Sequence, residues 1–157
     1  VRLRVIAVGT RMPQWVDQAF EDYARRLRRP WGLTLTQIAP AYRSQATKAA
    51  QAARTAEARR ILSLLSARDC IVPLDEHAAE PTTLELVQWL SQRRSSGQDV
   101  AFIIGGPDGL AEEVLARAHY RWSLSRLTLP HGLARVVLVE QLYRAVTVLE
   151  GHPYHRA

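Results

Sequence analysis

At 157 residues, 47% of them hydrophobic, the chain is long enough for one domain with a sizeable core, and its single cysteine excludes an internal disulfide. No apolar run reaches the roughly 18 residues of a membrane span, and the N-terminus alternates where a signal peptide would be continuously apolar, so a cytoplasmic, non-membrane protein of one domain, residues 1–157, is expected. The net charge of +6 is unevenly spread: residues 1–60 carry twelve Lys or Arg against four Asp or Glu, and the remainder nine against eleven. All but Lys48 of these cations are arginine, which pairs with phosphate in a bidentate way and stacks on bases, so nucleic acid is the natural partner.

Leu3, Val5 and Ala7 alternate as a strand that ends at Gly9-Thr10, and Pro13 suits the first turn of a helix. Val16, Ala19, Phe20, Tyr23 and Leu27 then recur at helical spacing. The cluster Arg25, Arg26, Arg28 and Arg29 falls in the last turn, where cations favour the dipole, and Pro30 stops the helix. Residues 31–39 alternate as a second strand with Leu33, Leu35 and Gln37 on one side. Residues 42–47 lack periodicity and read as a mobile basic loop, before an alanine-rich helix over 49–65.

From Cys70 the pattern becomes strand then helix, repeatedly. Residues 70–74 form a short buried strand in which Cys70 is a core residue, not a nucleophile, and 75–81 a loop. Thr82 and Glu85 form a capping box ahead of Leu84, Val87 and Leu90, which predicts a helix to about Arg94. A buried strand over 100–104, a loop over 105–109, a helix over 110–119, a strand and loop over 122–129 and a long helix over 133–149 complete the chain. That last helix is apolar on more than one face, as if packed on its own sheet and on a second subunit, which predicts a homodimer.

The Gly105-Gly106-Pro107-Asp108-Gly109 loop lacks the Lys-Ser/Thr of a P-loop and the spacing of a dinucleotide fingerprint. Paired glycines after a buried strand still let a ligand approach the backbone closely, although a plain strand-to-helix turn is an equal reading. The loop over 125–130 can offer consecutive main-chain donors and acceptors to the same place. The five histidines show no metal-ligand spacing, so no metal is assigned, and Ser123 and Ser125 lack a nucleophile-elbow context. Glu140 is a candidate base or, more simply, a partner for Arg144 at i+4.

Taken together, Val-Gly-Thr-Arg-Met-Pro (8–13), Ile-Gly-Gly-Pro-Asp-Gly (104–109), Trp-Ser-Leu-Ser-Arg-Leu-Thr-Leu-Pro-His (122–131), Leu-Tyr-Arg-Ala (142–145) and His-Pro-Tyr-His-Arg (152–156) resemble the RlmH family. These are SPOUT-class ribosomal RNA large-subunit methyltransferases acting on N3 of a pseudouridine. The resemblance spans essentially the whole chain. It implies an α/β fold with a mostly parallel sheet flanked by helices, a C-terminal deep trefoil knot, and a homodimer in which the tail of one subunit enters the active site of the other.

The resemblance further implies S-adenosylmethionine as cofactor, contacted by Leu74, Gly105, Gly106, Ser125, Arg126, Leu127, Thr128, Leu129 and Pro130. It implies ribosomal RNA, in an assembled ribosome, as partner. Methyl transfer from a sulfonium is an in-line displacement, so positioning is the main task, and the weakly acidic N3–H needs a base. His155 is the first candidate for that base, with Tyr154 stacking on or orienting the nucleobase and Arg144 or Arg156 facing the developing anion; His131 is the second candidate, behind it because a place directly after Pro130 suits a residue that shapes the cofactor loop. A non-catalytic RNA-binding module and a SPOUT enzyme acting on transfer RNA are the competing readings.

Overall fold

The computed structural model describes residues 1–27, 29–41 and 47–156; Arg28 of the arginine cluster and most of the expected basic loop lie outside them. Four strands, β1 (Leu3–Val8), β2 (Leu33–Ile38), β3 (Cys70–Ala79) and β4 (Val100–Ile104), form one sheet in the order β2-β1-β4-β3. Every pairing is parallel, with Val5 opposite both Leu35 and Phe102, and Val72 opposite Phe102 from the other side. Parallel neighbours require crossovers, and helices α1 (Gln14–Arg26), α2 (Thr47–Ser63) and α3 (Thr83–Ser96) supply them. The chain closes with the short α4 (Glu112–Leu115), the long α5 (His131–Leu149) and a 3-10 turn, Pro153–Arg156.

Period-two patterning divides the core into two layers. Leu3, Val5 and Ala7 of β1, Val72 of β3, and Val100, Phe102 and Ile104 of β4 pack with α1, α3 and α5 on one face. Ile6, Val8, Ile71, Ala101 and Ile103 point the other way, onto Ala58 and Ile61 of α2 and Val114 of α4. Both faces of the sheet's centre are thus covered, which is why β4 and the first half of β3 read as nearly continuous apolar runs, whereas the edge strand β2 alternates. Cys70 is buried in the first layer as expected, and burial raises its thiol above the usual value, opposed by the nearby Arg93.

The capping box is present in full: Thr82 Oγ1 accepts from the Glu85 N–H, and the Glu85 carboxylate accepts from the Thr82 N–H at 2.6 Å. Several boundaries differ from the sequence expectation; the expected helix over 49–65, for one, is Thr47–Ser63. Pro13 is the N-cap of α1 and not in its first turn, and α5 starts two residues early, at His131, with Pro130 as its N-cap. The expected helix over 110–119 shrinks to Glu112–Leu115.

The largest difference concerns β3, which continues through the expected loop to Ala79 because a distant segment pairs with it. His119 N–H donates to the Ile71 carbonyl, the Ile71 N–H donates to His119 Nδ1, Trp122 bridges Leu74 and Ala79, and Ser123 N–H reaches the Ala79 carbonyl. Trp122 is therefore not part of a strand of its own; the returning segment lines the free edge of β3. Among the described residues no helix is long and apolar enough to cross a membrane.

Candidate active site

In an open parallel sheet the place for a ligand is the crevice beyond the carboxyl ends of the strands, where the chain's direction of winding reverses. Here β1 connects outward to β2 while its other neighbour, β4, connects from β3, so the reversal lies between β1 and β4. A cavity of about 1160 Å³ opens there. Most of its wall comes from four stretches, residues 8–12 at the end of β1 and after it, 74–77 in β3, 104–110 at the end of β4 and after it, and 122–131 before and at the start of α5, with Pro40, Arg54, Leu115 and Ala134 completing it. Typical small-molecule sites enclose about 300–1,000 Å³, so this one has room for a nucleoside-sized cofactor and part of a second reactant.

The glycine loop forms one wall because nothing larger fits. A Cβ on Gly105 would lie 2.9 Å from Leu110 Cγ and 3.0 Å from the Gly109 carbonyl carbon, and one on Gly106 would come within 3.2 Å of Val8 Cγ1. Behind Gly106 sits Glu57, only 6% exposed. Burial raises its carboxyl above the usual range; an Ala41 N–H opposes this, and the nearby Asp108 charge adds to the rise. The facing wall is the loop before α5, shaped by its own serines: Ser123 Oγ donates to the Ser125 carbonyl and the Leu127 N–H donates to Ser125 Oγ. That turn leaves the Leu127 side chain 78% exposed beside the cavity.

Of the sequence-predicted cofactor residues, Leu74, Gly105, Gly106, Ser125, Leu127, Thr128 and Leu129 line this cavity, whereas Arg126 and Pro130 do not. Asp75, Glu76 and Asp108 add acidic groups, and Arg11 and Arg54 basic ones. His131 also lines it, but both ring nitrogens are engaged, Nδ1 with the Gly105 carbonyl at 2.9 Å and Nε2 with Arg135 Nε at 2.8 Å. Burial, then the Arg135 charge, lower its proton affinity, against a smaller effect of the Gly105 hydrogen bond. Sequence reasoning missed Arg135 and Glu57, whose charges look solvated until the fold buries them.

The three predicted catalytic residues gather elsewhere, at the C-terminal end of α5. Arg144 Nε and Nη2 donate to one Glu140 oxygen at 3.0 and 2.7 Å, which raises the guanidinium pKa further. The Tyr154 hydroxyl donates to the same oxygen at 3.1 Å, while its ring lies 4.6 Å from that of Tyr143 and 5.0 Å from the Arg144 guanidinium. Burial, with the Tyr23 and Glu140 hydrogen bonds, pushes its phenol well above the ordinary tyrosine value. His155 Nδ1 contacts the His152 carbonyl at 2.6 Å; a carbonyl only accepts, so Nδ1 carries the proton and Nε2 is left to exchange one. None of Arg144, Tyr154 and His155 lines the cavity of its own chain. Among the described residues no cluster of potential metal ligands occurs.

A switch-point cavity walled by a glycine loop defines the class: an α/β protein with a ligand-sized site at the carboxyl ends of a parallel sheet. A family model described as "Predicted SPOUT methyltransferase" matches residues 1–155. Proteins named ribosomal RNA large subunit methyltransferase H are 46% identical to this chain in Methylobacillus flagellatus and in Hahella chejuensis, and 47% in Thiobacillus denitrificans, each over 99% of both chains. The chain belongs to this SPOUT methyltransferase family and is an enzyme of it. In fold it is similar to a methylase family protein from Haemophilus influenzae, with a TM-score of 0.57 at 16% identity over 97% of this chain and 69% of the other. A second such protein, from Neisseria gonorrhoeae, gives 0.52 at 17% identity over 90% and 81%.

Proposed function

We propose that this chain methylates N3 of a pseudouridine in large-subunit ribosomal RNA, taking the methyl group from S-adenosylmethionine, and that it works as a homodimer with a C-terminal trefoil knot. The observation that carries the reading is the switch-point cavity between the glycine loop and the 123–129 loop, in a chain so close over its full length to proteins bearing that ribosomal RNA name. The donor set fits the cofactor. Leu74, Trp122, Leu127 and Leu129 offer apolar contact for an adenine, the glycine loop lets backbone groups come close, and Asp75 and Glu76 suit ribose hydroxyls or an ammonium. The arginine-rich first 60 residues suit an RNA phosphate backbone. Segment 119–123, laid along β3 before the chain turns back into α5, is consistent with a threaded C-terminal portion.

S-adenosylmethionine supplies an electrophilic methyl group; the protein's residues supply placement and proton removal. The pseudouridine N3–H has an acidity of the order of a phenol's, roughly pKa 10, so it must lose its proton before or during attack. His155 is the group assigned to take it through Nε2, a reading supported by its Nδ1–H being fixed by the His152 carbonyl. Tyr154, kept un-ionised and tethered to Glu140, presents a ring for stacking, and Arg144 holds a permanent positive charge beside it. Because this group lies away from its own chain's cavity, the complete site combines the cavity of one subunit with the tail of the other. The half-buried stripe Val137, Gln141 and Val148 on α5, with Leu84 67% exposed on α3, is the surface through which the subunits meet.

The deciding experiment is transfer of a labelled methyl group from S-adenosylmethionine to ribosomes and to naked RNA from cells lacking this protein, followed by nucleoside analysis. Label on N3-methylpseudouridine of large-subunit RNA is expected. Label confined to transfer RNA, or cofactor binding with no transfer to any ribosomal fraction, would overturn the assignment.

A further inference from the structure

Arg135 is the one arginine among the described residues with no exposed surface, and none of its hydrogen-bond acceptors is a carboxylate. Its guanidinium donates from Nη2 to the Gly9 carbonyl, from Nη1 to Gln37 Oε1 and from Nε to His131 Nε2, each at 2.8 Å. Asp17 of α1 acts on it only through space. A buried cation satisfied by neutral groups is a costly way to fill a core, since an apolar side chain of similar volume avoids the desolvation penalty. What the arginine does that an apolar residue could not is fix three partners at once, and two of them belong to the cavity.

The chemistry of those partners is constrained. An arginine Nε–H always donates, so His131 Nε2 must be an unprotonated acceptor; a carbonyl only accepts, so His131 Nδ1 must carry the proton it gives to Gly105. Arg135 therefore selects one neutral tautomer of His131, and that tautomer holds the carbonyl of the first glycine of the loop. The same guanidinium grips Gly9, whose φ of +147° and 3.1 Å clearance to Arg135 Nη2 leave no room for a side chain. A continuous chain of hydrogen bonds thus runs from the loop after β1, through α5, to the loop after β4.

We propose that Arg135 and His131 are positioning residues, in which Arg135 locks the His131 tautomer and His131 holds the Gly105 carbonyl so that the glycine loop is set for the cofactor. The proposal rests on the reading of the cavity as an S-adenosylmethionine site. It also removes His131 from candidacy as the general base, because neither nitrogen is free to exchange a proton with substrate.

Two substitutions separate the two halves of the ring. In His131→Asn the amide nitrogen stands near the place of Nδ1 and can still donate to Gly105; in His131→Gln the amide group stands near Nε2 and can satisfy Arg135 but not Gly105. With S-adenosylhomocysteine as the probe, titration calorimetry on the full chain is expected to give His131→Asn an affinity within about threefold of the unsubstituted protein. His131→Gln should bind about tenfold or more weakly, the effect of one unmade buried hydrogen bond. A merely structural histidine would lower both variants alike, and equal affinities in the two would overturn the proposal.

Nitrogen-15 spectra of the His131 ring in the unsubstituted protein test the lock without any variant: an Nδ1–H tautomer is expected, and an Nε2–H tautomer would overturn it. If the unsubstituted chain bound no S-adenosylhomocysteine, the cofactor reading would fail and the positioning role with it. The tautomer spectrum would show that failure to be distinct from a failure of the lock.

Discussion

Replacing Gly105 with alanine is the sharpest perturbation of the cavity that leaves its chemistry untouched. The added methyl would sit 2.9 and 3.0 Å from Leu110 Cγ and Cδ2 and 3.0 Å from the Gly109 carbonyl carbon, where ordinary contact begins near 3.4 Å, so the loop must yield by up to half an ångström. Overpacking of this kind costs about 1–3 kcal/mol. Restricting the unfolded chain returns about 0.4–1 kcal/mol, leaving a net loss of about 1–2 kcal/mol. For a chain of this length that lowers Tm by about 2–8 °C. The strain falls on the wall that would hold the cofactor, so S-adenosylhomocysteine affinity should drop by as much as about tenfold.

The rationale can be isolated with a second change. Leu110→Ala removes two of the three close contacts and leaves only the backbone one. The double variant should therefore be more stable, and bind more tightly, than the sum of the two single effects, with a coupling of about 0.5 kcal/mol or more. Differential scanning calorimetry and titration calorimetry on the four proteins give the cycle. Strict additivity, or a Gly105→Ala protein with unchanged Tm and affinity, would refute the claim that packing against Leu110 dictates glycine here.

Deleting residues 152–157 removes Tyr154 and His155 but no residue of the cavity wall, so methyl transfer should be abolished while S-adenosylhomocysteine affinity stays within about twofold; parallel loss of both would contradict the tail's role. Val137→Asp puts a charge in the half-buried stripe of α5 and, with the proposed dimer formed through that stripe, should give a monomer by sedimentation velocity and stop transfer, with S-adenosylhomocysteine still bound. Glu57→Gln tests the buried carboxyl. Its folded pKa is raised above 4.5, so its contribution is fully present below that pH and is lost as pH rises through the folded value. Glutamine should therefore raise Tm at pH 7.5 but not at pH 4, and a pH-independent difference would show that burial does not control this group.

The sheet was legible because β1 and β2 alternate while β4 and the start of β3, covered on both faces, are short apolar runs, and the Thr82–Glu85 box marked a helix start to the residue. The polar Asp75, Glu76 and His77 gave no sign of strand, because what makes them one is Trp122 and Ser123, more than forty residues further along the chain. The glycine and 125–129 loops could be singled out from local composition. Arg135 could not: Gln37 and Gly9, which account for its burial, stand 98 and 126 residues away, and on a helix pattern alone it is another surface charge. The separation of Arg144, Tyr154 and His155 from the cavity is likewise a fact of three-dimensional placement that no spacing encodes.

Because the cavity wall runs from Val8 to His131 and Ala134 of α5, no partial product of synthesis ending before His131 contains a whole site. With the cavity as the proposed cofactor site, cofactor affinity is consequently a property of the completed fold and not of any one segment. Every kilocalorie of binding then opposes global unfolding, by RT ln(1 + [L]/Kd), about 2.7 kcal/mol at a hundredfold excess over Kd. For so small a chain that is a large share of the total stability, and cofactor supply becomes one of the determinants of how long the enzyme survives in its folded form.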